Sequence, residues 1–108
     1  MTFDELLEKV RGMAADRIDP TGTDFLAVQV NITGKEEESG VFYVEVEDGN
    51  VSIEPSEYPD CDCTITMKNA AFNKLIDGKL NPKLAFSTRK LKVEGDAGKA
   101  MEFSELIK

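Results

Sequence analysis

The chain contains no histidine. That absence removes Ser-His-Asp and Cys-His nucleophilic catalysis and most zinc chemistry together, leaving only a carboxylate or a lysine as a general base. Cysteine is nearly as scarce: Cys61 and Cys63 are the two, one residue apart. On a strand they share a face, too close for a strain-free disulfide. Two thiols without an imidazole are too few for a zinc site. They read as small apolar strand residues. No run approaches the ~20 apolar residues that span a bilayer. The acidic, amphipathic N-terminus fits neither a signal nor a transit peptide, and Leu106-Ile107-Lys108 does not match a peroxisomal signal. The expectation is one cytoplasmic domain, residues 1–108, without stable membrane insertion.

Positive charge is in short supply. Thirteen basic residues face 21 acidic ones, a formal net charge of -8. A general nucleic-acid binder needs a basic face against phosphates, so that class is set aside. The same balance disfavours strong adsorption to an anionic membrane and suits a soluble protein. The carboxylates themselves fall in runs, Glu36-Glu37-Glu38 and Glu45, Glu47, Asp48, which are read as solvated faces. Asp60 and Asp62 supply too few oxygens for a calcium loop. No catalytic residue, metal site or cofactor is assigned.

What is present is pattern. Thr2 and Glu5 form a capping box before Phe3, Leu6, Leu7, Val10, Met13 and Ala14, an apolar stripe that predicts a helix over Phe3–Asp16. Asp19-Pro20-Thr21-Gly22 predicts a turn. Alternation then predicts strands around Leu26–Ile32, Phe42–Val46 and Val51–Ile53, with a charged loop at Lys35–Gly40 and a type I′ turn at Asp48-Gly49. A fourth strand is expected from Cys61 to Met67. Asn69 is expected to cap a helix to Asp77, ended by Gly78. Asn81-Pro82 restarts a helix. Arg89–Glu94 is the fifth strand, and Gly95-Asp96 opens a last helix carrying Ala97, Ala100, Met101, Phe103, Leu106 and Ile107.

Two groups of residues are candidates for function. The apolar residues Phe72, Leu75, Ile76, Leu80, Leu84, Phe86, Met101, Phe103, Leu106 and Ile107 exceed what short helices need to dock on a sheet. They either pack the core or line a pocket for an elongated apolar ligand, and methionine suits a wall that must fit varied shapes. The second group is basic: Lys79, Lys83, Arg89, Lys90 and Lys92. It is either an anion site or an edge strand protected by lysines.

Jointly, Asp62-Cys63-Thr64-Ile65-Thr66-Met67, Gly78-Lys79-Leu80-Asn81-Pro82, Ala85-Phe86, Lys90-Leu91-Lys92-Val93-Glu94-Gly95-Asp96 and Ala100-Met101 resemble the sterol carrier protein type 2 family, the nonspecific lipid-transfer proteins. The resemblance implies an α+β fold: a five-stranded, mostly antiparallel sheet covered on one face by about four helices, with an apolar tunnel between the layers. It implies non-enzymatic binding, and transfer, of a fatty acid, fatty acyl-CoA or similar lipid. Lining falls to Met67, Phe72, Leu75, Ile76, Leu80, Leu84, Phe86, Met101, Phe103 and Leu106, and an anionic head group to Lys83, Arg89, Lys90 and Lys99. Two positions depart from the family pattern. Arg89 stands where a glycine is usual, and Lys99 where an apolar residue is common; both favour an anionic head. The alternative is an accessory or homodimerisation module whose apolar helical face packs against a partner or second copy.

Overall fold

In the computed structural model of the chain, residues 1–17 and 25–107 are described; the expected turn Asp19–Gly22 lies outside them. Helix α1 spans Phe3–Arg17. Its capping box forms as the sequence predicts: the Thr2 amide donates to Glu5 Oε1 at 2.9 Å and the Glu5 amide donates to Thr2 Oγ1 at 3.2 Å. The strands are β1 (Leu26–Thr33), β2 (Gly40–Glu47), β3 (Asn50–Glu54), β4 (Cys63–Lys68) and β5 (Leu91–Gly95). Helices α2 (Asn69–Ile76), α3 (Pro82–Ser87) and α4 (Ala97–Leu106) occupy the second half.

The sheet order is β3-β2-β1-β4-β5. Three pairings are antiparallel, and β1 pairs parallel with β4, Val28 opposite Cys63 and Ile32 opposite Met67. Because strand side chains alternate, this register puts Val28, Val30, Ile32, Phe42, Val44, Ile53, Cys63, Ile65, Met67 and Leu91 on one face. All of them are buried. Leu6, Leu7, Val10 and Met13 from α1, Phe72, Leu75 and Ile76 from α2, Ala85 from α3 and Ala100 and Phe103 from α4 join the same core. The opposite face carries Gln29, Asn31, Tyr43, Glu45, Thr64 and Thr66. There the 55–62 loop is tied down. Tyr58 donates its amide to Gln29 Oε1 at 2.9 Å and its hydroxyl to Glu45 at 2.6 Å, and its ring meets Tyr43 edge-on at 5.1 Å.

The turns follow local chemistry. Asp48 and Gly49 both have positive φ, 52° and 79°, as a type I′ turn requires. Asn81 caps α3, accepting from the Lys83 and Leu84 amides, with Pro82 first in the helix. Asp96 caps α4 through the Lys99 amide.

Three expectations are corrected. The fourth strand begins at Cys63, not Cys61, because the Cys61 amide is held in a turn by the Tyr58 carbonyl at 3.0 Å. Asn69 is not a cap: Lys68 occupies that position without a side-chain bond. Asn69 is instead buried inside α2, where its amide group donates to the Glu38 carbonyl at 3.0 Å. Finally, β5 starts at Leu91, since Arg89 stands in the left-handed region at φ 64° and turns the chain out of α3.

Candidate functional site

The site grows from the point where β4 ends and α2 begins. Thr66, Met67 and Lys68 close the strand, and Ala70, Ala71 and Lys74 continue along the first turns of α2. Leu80 comes from the loop between α2 and α3. Arg89 and Lys90 come from the turn between α3 and β5 and Lys92 from β5 itself, which is held in place by the Thr66–Lys92 and Met67–Leu91 pairings. With Thr33 at the end of β1, these residues enclose a cleft of about 440 Å³.

Its floor is apolar: Met67, which is buried, with Ala70, Ala71 and the half-buried Leu80. Around the floor stand five cations, Lys68, Lys74, Arg89, Lys90 and Lys92, and no carboxylate lines the cleft. Among the described residues none of the five makes an ion pair; the pairs present are Lys9–Asp77, Arg11–Glu8, Arg11–Glu54 and Lys99–Glu102. Mutual repulsion of five uncompensated cations costs free energy that an anion would relieve. Arg89 adds to this. It is one of two non-glycine residues with positive φ among those described, a conformation that costs a side-chain-bearing residue roughly 1–2 kcal/mol. It is also the position where the family pattern suggested glycine.

The cleft joins part of each expected group. Met67 and Leu80 of the apolar set, and Arg89 and Lys90 of the basic set, line it together. Phe72, Leu75, Ile76 and Phe103 lie in the core and do not line the cleft, and Met101 and Leu106 are half-buried on α4. Leu84 and Phe86 face outward on α3, 57% and 48% exposed. Lys83 is exposed on α3. Lys99 donates to the Phe25 carbonyl at 3.1 Å and pairs with Glu102, so neither lysine is brought to the cleft. Lys68 and Lys74 were missed. Lys68 follows Thr64 and Thr66 on the polar alternation of β4, which was legible, but its approach to β5 depends on long-range pairing.

A second depression of about 500 Å³ lies on the other side of the start of α2. It shares Thr33, Lys68, Ala70 and Lys74 with the first and adds Lys35, Glu38, Asn69 and Asn73. Neither cleft holds a carboxylate pair. No cluster of three or more His, Cys, Asp or Glu suited to a metal occurs among the described residues. Both cysteines are free, and burial, with smaller repulsion from Cys61, pushes the Cys63 thiol up to about 11. No helix among the described residues is long and apolar enough to cross a membrane.

The profile of the SCP-2 sterol transfer family matches residues 3–108. The chain belongs to this family. It is 34% identical over 107 residues to human sterol carrier protein 2, covering 98% of this chain and 19% of that protein. The chain thus spans about a fifth of the length of that relative. Among solved structures, palmitated sterol carrier protein 2-like 2 from Aedes aegypti superposes with a TM-score of 0.74 at 21% identity, over 99% of this chain and 95% of that one. The stereoselective inverting sec-alkylsulfatase of a Pseudomonas species does so with a TM-score of 0.76 at 19% identity, over 98% of this chain and 16% of that one. These likenesses show the fold: a mixed five-stranded sheet with four helices.

Proposed function

We propose that this member of the SCP-2 family is a non-enzymatic carrier of acyl amphiphiles with an anionic head, such as a fatty acid or fatty acyl thioester. The observation that carries the reading is the cleft itself: five unpaired cations and no carboxylate around an apolar floor, in a chain whose net charge is -8. The head sits among Lys68, Lys74, Arg89, Lys90 and Lys92. The tail crosses Met67 and Leu80 and follows the interior toward Leu75, Ile76 and Phe103, with Phe72, Met101 and Leu106 completing the apolar route. Those side chains pack against one another in the structure, so the tail must part them. A dozen buried methylenes supply on the order of 10 kcal/mol gross toward that opening, from which ordering and association costs are drawn. The charged groups in the lining are exposed lysines and an arginine with no carboxylate or imidazole beside them, an arrangement suited to holding an anion. Two free thiols suit a reducing cytoplasm.

The test is a titration with a pyrene-labelled fatty acid and with its methyl ester, alongside mass spectrometry of an organic extract of the purified protein. The acid is expected to bind one-to-one and the ester at least about tenfold more weakly, the loss of one charge-assisted contact set. Equal binding of the two would remove the head-group assignment. No binding of either, with no extracted lipid, would remove the carrier reading. A second reading, an assembly module, rests on the exposure of Leu84 and Phe86; a size-exclusion profile showing an empty dimer would favour it.

A further inference from the structure

Helices α2 and α3 end in the same way. After α2 the Gly78 amide donates to the Leu75 carbonyl at 3.1 Å and the Lys79 amide to the Lys74 carbonyl at 2.8 Å. After α3 the Arg89 amide donates to the Phe86 carbonyl at 3.2 Å and the Lys90 amide to the Ala85 carbonyl at 2.8 Å. Each pair is a Schellman closure, in which the residue past the cap turns left-handed and two orphan carbonyls are satisfied. The φ values agree, 74° at Gly78 and 64° at Arg89. Glycine is the usual residue at such a position because it has no Cβ to strain. At Gly78 the conformation is the whole reason, since a Cβ there would meet nothing within 4 Å. One chain thus closes the same turn twice, once with glycine and once with arginine.

The two turns differ in what they face. Gly78 does not line the cleft, whereas Arg89 and Lys90 do. Nothing inside the fold offsets the strain at Arg89. Its side chain is exposed, and no hydrogen bond or ion pair ties its guanidinium to another described residue. A strained residue that stabilises nothing around it points to function. Asp48, the other non-glycine residue with positive φ, is accounted for by its type I′ turn, where aspartate tolerates that conformation.

We infer that Arg89 is the specificity-determining residue of the cleft, held in a strained turn to read a terminal carboxylate. Its chemistry sets it apart from Lys68, Lys74, Lys90 and Lys92. A guanidinium is a planar fork of donors that meets both oxygens of a carboxylate at once, whereas an ammonium is a point charge. The backbone that carries the fork is fixed on both sides, by the two Schellman bonds and by the Met67–Leu91 pairing two residues on. The four lysines then supply attraction, and Arg89 supplies orientation. An ester offers one neutral carbonyl oxygen and does not match the fork. The inference deepens the carrier reading and rests on it for the ligand's tail, but not for the strain or for the anion contact.

Three variants separate strain from recognition. Arg89→Gly should raise the melting temperature by about 4 °C, while Arg89→Ala, which keeps a Cβ, should leave it near that of the parent. Both should weaken a pyrene-labelled fatty acid about tenfold and its methyl ester hardly at all. A residue with a merely structural role would move acid and ester together. Arg89→Lys keeps charge and strain without the fork, and should still weaken the acid several-fold. Butyrate, too short to need the apolar interior, should shift the Arg89 Nε–Hε signal in an NMR titration of the parent, the signal being identified by its loss in Arg89→Lys. The inference is overturned by an Arg89→Gly melt no higher than that of Arg89→Ala, by an acid-over-ester preference that survives both, or by full acid affinity in Arg89→Lys. If the pyrene acid fails to bind while butyrate still shifts Arg89, the carrier reading falls and the carboxylate contact stands. Silence of both ligands removes both.

Discussion

Reversing two cations at the cleft, Lys90→Glu/Lys92→Glu, gives the sharpest test of where the ligand's head sits. Both side chains are exposed and line the cleft, and neither belongs to the core, so the fold is expected to survive. Solvent-exposed charge pairs contribute about 0.5 kcal/mol each. Reversal removes two attractions and adds two repulsions of similar size, about 2 kcal/mol in all, or roughly a thirtyfold rise in Kd for a pyrene-labelled fatty acid. The methyl ester should lose far less, because it carries no charge to repel. At about 1 M salt, where the screening length is near 3 Å, the gap between variant and parent should shrink to a few-fold. Lys79→Glu/Lys83→Glu makes the same change in net charge outside the cleft and serves as the reference. If both double variants weakened the acid equally, the effect would be the protein's overall field and not the cleft. If Lys90→Glu/Lys92→Glu left the acid's affinity unchanged, the head-group assignment would be wrong.

Gly95→Ala should destabilise the fold by about 2–3 kcal/mol, since Gly95 has φ +93° and a Cβ there would stand 2.8 Å from the Asp62 carbonyl oxygen. Gly78→Ala, at φ +74° with open space around it, should cost nearer 1 kcal/mol; equal shifts in thermal melts would refute the role of the close approach. Thiol labelling at mildly alkaline pH should modify Cys61 quickly and Cys63 slowly, because Cys63 is buried with its thiol pushed up to about 11; Cys61→Ser should abolish the fast phase. The hydrogen bond to Glu45, with lesser help from desolvation, raises the Tyr58 phenol to about 12. The neutral form is thus favoured in the fold. Its stabilising share is complete below the ordinary phenol range near 10 and is lost as pH climbs through 12. Ultraviolet titration should show a late phenolate step that Tyr58→Phe removes and Glu45→Gln moves to lower pH.

Much of the fold is legible in the sequence because it depends on neighbouring residues. The Thr2–Glu5 box, the Asp48-Gly49 turn, Asn81-Pro82 and the Asp96 cap each need only three or four adjacent residues, and each forms. The alternation in β1 and β2 likewise announced which face is buried. What escaped was set by distant partners. Asn69 has the chemistry of a cap, yet the carbonyl of Glu38, 31 residues earlier, claims its side chain. The parallel pairing of β1 with β4 has no local signature, and it is this register, Thr33 opposite Lys68, that delivers Lys68 to the cleft. Phe72, Leu75 and Ile76 show helical apolar spacing whether they fill a core or border a ligand; periodicity cannot separate the two, and the structure buries them in the core.

The parallel β1–β4 seam carries a consequence for biosynthesis. The two strands are joined only after β2, β3 and the 55–62 loop have been made. Until Lys68 has left the ribosome, a β1-β2-β3 ladder lacks its partner along β1, and the row of β1 backbone groups reserved for β4 is bare in addition to the β3 edge that stays open in the finished sheet. Unpaired edges recruit other strands, so this interval is when two nascent chains can zip together wrongly. The same seam divides the gene at a natural place. Residues up to the 55–62 loop and those after it are two fragments whose ladders are each incomplete, and whose charges, strongly negative before and positive through 68–92, would draw them together as a split reporter.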